Sequence, residues 1–328
     1  MGNILNCLVS DKIDPGDVSR DFTQRVAQAL GVSGGVALST YPQAIALAID
    51  SLGLAAGDGV LLSALAPAVY VRILRARGFQ PILADVDPET GLMDIAEAEK
   101  LKARGAKAFL LHHTLGILAD GAAWKAALGI PVVEDISQAL GGKVGETWCG
   151  AGGDLAVASL TSENIVTCGG GGVVLSGNRQ TAAALRRSAE ADPLYTQLPD
   201  MNAALGVTQI QELDRFLAAR RELTRAYTQS LLKSRHKPLI QKGDLESVSW
   251  SFPVALTDGM KDVRMYALKK NVDTAPAFAD SVASLEEAAE AGCPNARSLA
   301  LRCLLFPLYP MMGKKDVEAI CRVLASLP

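Results

Sequence analysis

Strand-like and helix-like segments alternate from about residue 35 to residue 190, and this alternation restricts the possible fold more than any other feature. Residues 42–52 carry apolar residues at helical spacing, with Thr40 placed as an N-cap. Gly57-Asp58 turns into an apolar run over 59–65, followed by a helix at 69–77 and a strand at 81–86. A helix over 95–104 has Asp94 as its N-cap, and a strand at 108–112, a helix at 121–128 and a strand at 131–134 complete the series. Two more apolar runs, 155–160 and 172–175, flank a polar loop. Repeated β-α-β units predict an α/β protein with a mainly parallel sheet.

From 201 to about 234 the apolar positions repeat at helical spacing. One or two long helices are expected, with Arg220-Arg221-Glu222 on a solvated face. A strand-like 248–256, a helix-like 263–270 and a closing helix at 315–326 follow. The division is therefore a large domain over 1–234, including the linking helix, and a smaller C-terminal α+β domain over 235–328.

Composition removes several function classes. The 328 residues are 49% hydrophobic and 20% charged, which excludes a disordered chain. A net charge of −3 offers no concentrated basic face for nucleic acid. No apolar run reaches the roughly 18–20 residues of a membrane span, and the opening MGNILNCLVSDK lacks the features of a signal peptide, so a cytoplasmic protein is expected. Six scattered cysteines and three histidines show no metal-ligand spacing, and no metal site is expected.

Four segments carry a resemblance: LGLAAGDGVLLS at 52–63, ILADVDPETGLMD at 82–94, VVEDISQALGG at 132–142 followed by GDLAVASL, and CPNARSLALRCLLFPLYPMMGKKDVEAICRVL at 293–324. Their order and spacing resemble the DegT/DnrJ/EryC1/StrS sugar-nucleotide aminotransferases. The resemblance implies the aspartate-aminotransferase-type fold (fold type I), pyridoxal phosphate as cofactor, nucleotide sugars as ligands, and a dimer with sites at the subunit boundary.

Pyridoxal phosphate chemistry needs a Schiff-base lysine, a carboxylate on the pyridine nitrogen, a cradle for the phosphate and a flat group over the ring. By resemblance, Asp135 is the ring carboxylate, Gln138 lies beside the ring, Ser159 touches the phosphate and Thr40 begins the phosphate-binding turn. The strand end at Asp135 also fits a bare helix N-cap. The family pattern Ser-Phe-x-x-x-Lys reads here Ser159-Leu160-Thr161-Ser162-Glu163-Asn164, so Asn164 falls on the lysine position. A carboxamide forms no imine and is no base near neutral pH. Thr40-Tyr41-Pro42 stands where the family has Ser-Gly-Thr; Pro42 removes an N–H, and Tyr41 adds bulk. Pro67 falls on the ring-stacking aromatic. Leu198 and Asp200 fall on an Asn and an Arg, placing Asp200 and Glu163 near the phosphate. The four glycines 169–172 fit either an anion-binding nest or a permissive turn.

The expectation is a family member unable to form an internal aldimine, acting as a non-catalytic or binding subunit in a homodimer or in a heterodimer with a catalytic paralogue. In that state the Asp135 carboxylate should rest on backbone N–H groups or water. Two alternatives remain open: a lysine-independent enzyme acting on a nucleotide sugar, for which His113 is the one candidate base, and a conventional aminotransferase with the register misplaced.

Overall fold

The computed structural model describes residues 2–242 and 245–328. In chain order the first half runs α1 (Gly2–Val9), α2 (Asp17–Ala29), β1 (Gly34–Leu38), α3 (Tyr41–Asp50), β2 (Gly59–Ser63), α4 (Val69–Ala76), β3 (Gln80–Ala84), α5 (Ile95–Ala103), β4 (Ala106–His112), α6 (Gly121–Leu128) and β5 (Val132–Asp135). A short hairpin, β6 (Lys143–Val144) and β7 (Thr147–Trp148), precedes β8 (Leu155–Ser159), β9 (Gly172–Ser176), α7 (Arg179–Ala191), α8 (Asp200–Gln211) and α9 (Leu213–Leu231). The remainder comprises β10 (Lys237–Pro238), β11 (Phe252–Ala255), α10 (Met260–Lys269), β12 (Ala275–Pro276), α11 (Glu286–Glu290), α12 (Pro294–Arg302), β13 (Cys303–Phe306) and α13 (Lys314–Leu324).

Seven strands form one sheet in the order β1-β9-β8-β5-β4-β2-β3. Every neighbouring pair from β8 to β3 is parallel, and β9 alone runs against the rest. Side-chain alternation explains why helices cover both faces. In β8, Ala156 and Ala158 join the core that holds Phe22, Val26 and Leu30 of α2, while Leu155 and Val157 join the opposite core with Ile45 and Ile49 of α3. Fully burying a Leu or Val side chain stabilises by about 1.5–3 kcal/mol, so a one-residue slip in this strand would reverse the partners of every core position.

Two caps expected from sequence are formed: Thr40 accepts from the Gln43 N–H and Asp94 from Ala96 and Glu97; a third, Asp120 accepting from Ala123, was not read from the sequence. The linking region is two helices, α8 and α9. Their solvated-face expectation fails at one residue. Arg220 is buried, and its guanidinium donates to the carbonyls of Trp250 at 2.6 Å and Leu308 at 3.1 Å. Burial lowers its pKa to about 10. The second sheet, β10-β11-β13-β12, is antiparallel and packs Phe252, Val254 and Phe306 against Tyr227 and Leu231 of α9 and Ile320 and Val323 of α13. Residue 234 lies between α9 and β10. No helix among the described residues is long and apolar enough to cross a membrane.

Candidate functional site

The carboxyl ends of β1, β2, β4, β5 and β8 meet at one edge of the large sheet, where ligands of parallel sheets gather. A cleft of about 560 Å³ opens there. Thr40, Asp135, Gln138, Ser159 and Asn164 all line it, so five of the six site residues singled out in the sequence come together. The apolar part of the lining is Leu65, Pro67, Leu115, Trp250 and Phe278. Among the described residues, those lining the cleft include three carboxylates, Asp135, Glu163 and Asp280, and no lysine or arginine.

Asp135 ends β5 and is buried. Its Oδ1 accepts the Ser137 N–H at 2.9 Å and the Ser137 hydroxyl at 2.5 Å. Its Oδ2 accepts the Tyr41 hydroxyl at 2.6 Å and the Tyr70 hydroxyl, and lies 3.2 Å from His112 Nδ1. The backbone support expected at Asp135 is therefore present at Ser137, but most of its partners are side chains. Burial alone would raise this carboxyl; hydrogen bonds from His112, Ser137 and Tyr41 outweigh it and hold the group well below the usual carboxylate range. Burial and then the adjacent Asp135 charge push both phenols well above the usual tyrosine value.

Register and helix position explain the convergence. His112 is the direct neighbour of Asp135 across the parallel β4–β5 pair. Tyr70 sits on the buried face of α4, and Tyr41 is the first residue of α3. Gly172 lets that helix start approach β9, since a Cβ there would meet the Tyr41 Cα at 2.8 Å.

Also in the lining, the Ser159 and Thr161 hydroxyls are 2.7 Å apart, and the Asn164 amide donates to Thr161 Oγ1 at 3.1 Å. Thr161 donates to Glu163 at 2.8 Å. Gln138 Oε1 accepts the Leu115 N–H at 2.6 Å. The glycine run is a turn turned inward: the Gly169 N–H goes to Thr167 Oγ1 at 2.9 Å and the Gly170 N–H to the Leu160 carbonyl at 3.1 Å. Lys143, the lysine nearest in sequence, instead lies over the Trp148 ring at 4.0 Å.

Two sequence expectations are corrected. His113 is fully buried and does not line the cleft; its Nδ1 accepts the Ala119 N–H at 3.1 Å and its Nε2 faces Glu134 at 3.3 Å. Both ring nitrogens thus serve internal contacts, and His112 is the histidine at the cleft. Asp200 also lies elsewhere. Its carboxylate accepts the N–H groups of Gly16, Val18 and Ser19 at 2.8, 3.3 and 2.8 Å, capping α2 from α8. Sequence reasoning missed Tyr70, His112, Ser137, Trp250 and Phe278. The buried face of α4 held one signal, because a buried tyrosine hydroxyl requires a partner.

A seven-stranded mixed sheet with its cleft at the carboxyl edge and a second, smaller sheet beyond it is the fold type I architecture of pyridoxal-phosphate aminotransferases. The chain matches the DegT/DnrJ/EryC1/StrS aminotransferase family over residues 1–325 and belongs to it. Relatives include a GDP-perosamine synthase of Caulobacter vibrioides, 26% identical over 84% of this chain and 80% of the relative. A dTDP-4-dehydro-2,3,6-trideoxy-D-glucose 4-aminotransferase of Saccharopolyspora spinosa is 26% identical over 97% of this chain and 91% of its own length. Among solved structures, DesV of S. venezuelae in complex with a ketimine intermediate superposes with a TM-score of 0.91 at 23% identity, covering 99% of this chain and 92% of that one.

Proposed function

We propose that this chain is a sugar-nucleotide aminotransferase homologue that forms no internal aldimine and acts as a binding subunit, with Asn164 at the Schiff-base lysine position. The observation that carries the reading is the Asp135 carboxylate. In a pyridoxal phosphate enzyme this group pairs with the pyridine nitrogen and makes the ring an electron sink. Here the phenols of Tyr41 and Tyr70 already donate to its Oδ2.

The other requirements of the cofactor fit no better. No lysine lines the cleft among the described residues, so the covalent tether has no donor. The start of α3, where a phosphate would sit, carries Tyr41 and Pro42, and Pro42 has no N–H to offer. Glu163 adds negative charge on the side where a dianion would lie. Each lost hydrogen bond to a charged group costs about 1.5–3 kcal/mol, and two or three such losses weaken binding by roughly two to six powers of ten.

The same reading carries a homodimer, or a heterodimer with a catalytic paralogue, and the exposed Leu5, Leu8 and Val9 of α1 support a covered surface. A monomeric mass by light scattering at micromolar concentration would count against it. The decisive test is borohydride reduction with pyridoxal phosphate, read by mass spectrometry on the parent and on Asn164→Lys. Neither protein is expected to give a stoichiometric adduct, because the introduced amine lacks a phosphate grip to bring the aldehyde to it. A clean single adduct on the parent at low micromolar cofactor would sink the reading. An adduct confined to the introduced lysine would show that the cradle survives and that one residue separates the chain from its relatives.

A further inference from the structure

We propose that Tyr41, Tyr70, His112 and Asp135 together bind a trivalent hard cation, ferric iron by the chemistry of the set. The proposal goes beyond the reading above. It stands on these four side chains and needs neither a nucleotide sugar nor any role for Asn164.

The ligating atoms are already gathered. Tyr41 Oη lies 2.6 Å from Asp135 Oδ2 and 3.2 Å from Tyr70 Oη. His112 Nδ1 lies 3.2 Å from the same Oδ2, to which Tyr70 Oη is also hydrogen-bonded. With metal–oxygen and metal–nitrogen bonds of about 2.0–2.2 Å, ligand atoms at right angles sit about 2.8–3.1 Å apart. The contacts at Asp135 Oδ2 thus have close to the edge lengths of a coordination shell, with protons holding the atoms that an ion would hold. Among the described residues no group of three His, Cys, Asp or Glu side chains could ligate a metal. Here two phenols complete one carboxylate and one imidazole, a set that the spacing of cysteines and histidines in the sequence does not disclose.

The surroundings suit a ligand set. Asp135 Oδ1 is held by the Ser137 N–H at 2.9 Å and the Ser137 hydroxyl at 2.5 Å, which fixes the carboxylate with Oδ2 toward the other three groups. Tyr41, His112 and Asp135 line the cleft and give an ion its way in, while Tyr70 closes the set from the core. The lining adds the carboxylates of Glu163 and Asp280 and no lysine or arginine, so its field draws cations.

Charge selects the ion. One carboxylate and two phenolates carry three negative charges, which a trivalent ion neutralises; a divalent ion leaves one charge in excess in a buried place. Oxygen ligands favour hard cations, and imidazole is compatible with iron. On binding, two phenolic O–H bonds break, two metal–oxygen bonds form and two protons pass to solvent. Asp135 is ionised beforehand, so a site with one negative charge becomes neutral. His112 ligates through Nδ1 with its proton on Nε2.

The test adds ferric nitrilotriacetate, gallium nitrilotriacetate or zinc sulfate to the full chain at about pH 7, with no pyridoxal phosphate present. One ferric ion per chain should survive desalting, with a visible phenolate-to-iron charge-transfer band. Gallium should give the ultraviolet difference spectrum of two tyrosinates, and zinc should not. Tyr41→Phe and Tyr70→Phe, their fold checked by circular dichroism, should each halve the gallium signal and weaken ferric binding by at least about tenfold, the lower end of what losing even an outer-shell partner costs. The double variant should show no band. Tyr309→Phe, which removes a half-exposed phenol, should keep both signals. No iron retained by the parent, a visible band that survives in the double variant, or zinc producing the same two-tyrosinate spectrum would each overturn the proposal.

Discussion

Asp135 Oδ2 is over-supplied with donors, and the excess has a measurable signature. A carboxylate oxygen has about two lone-pair sites. Around this one lie the Tyr41 hydroxyl at 2.6 Å, the Tyr70 hydroxyl and His112 Nδ1 at 3.2 Å. Tyr41→Phe or Tyr70→Phe keeps the ring and opens no cavity, so each removes one donor and leaves two for two sites. Each single change should cost only about 1 kcal/mol, near the net value of an ordinary hydrogen bond. The double change leaves one donor for a buried charge, and there the second bond carries its full charge-assisted worth of about 1.5–3 kcal/mol. The double variant should therefore lose about 2.5–4 kcal/mol, about 0.5–2 kcal/mol more than the two single losses together. Urea unfolding at pH 7, followed by fluorescence and circular dichroism with coincident transitions, gives the cycle. The two phenols should also set the acid limb. The depressed Asp135 carboxyl contributes stability that is present above the unfolded carboxylate value and lost as pH falls through the folded one. With both phenols gone that contribution shrinks, and acid unfolding should begin at higher pH. Single losses that add to the double within about 0.5 kcal/mol would refute the lone-pair reasoning.

Other parts of the molecule give sharper or simpler readouts. Asp200→Ala orphans three N–H groups at the start of α2 and should cost about 2–4 kcal/mol in thermal unfolding, with faster amide exchange at residues 16–19; Asp200→Asn keeps an acceptor and should cost less. Arg220→Met releases the carbonyls of Trp250 and Leu308 and should make the segment before β11 cleave faster in limited proteolysis, at a stability cost of about 2–4 kcal/mol. In an alkaline spectrophotometric titration, Tyr41 and Tyr70 should stay un-ionised while exposed tyrosines titrate. Raised phenols favour the folded state below the unfolded value of about 10, and that stability is lost as pH rises. A full complement of phenolate appearing at the ordinary pH in folded protein would contradict the buried placement.

Local signals carried six of the seven strands of the large sheet; β1 was not read from the sequence. Gly172–Ser176 was legible as a strand, yet its reversed direction was not, because direction depends on its pairing with Leu155–Ser159 and Gly34–Leu38. The caps at Thr40 and Asp94 were legible because each serves residues two or three ahead. Asp200 serves residues more than 180 positions away, and no local pattern marks it. Arg220 looked solvated for the same reason, since its carbonyl partners come from two distant loops. At the cleft, family resemblance placed Asp135 and Asn164 at one edge. It also pointed to His113, the neighbour of the residue that faces the site. Adjacent strand residues point to opposite faces, so an error of one position moves a side chain from the cleft into the core.

The carboxylate of Asp200 lies 184 residues along the chain from the Gly16 N–H it accepts. A ribosome adding about 5–20 residues per second needs roughly 10–40 s to cover that distance. During this interval the first long helix emerges with a bare amino end, and β1 waits likewise for β9 at the sheet edge. The start of α2 is thus made well before the residue that secures it. A stalled or truncated product ending before residue 200 would hold its first helix without its cap, leaving that end open to the proteases and chaperones that survey nascent chains.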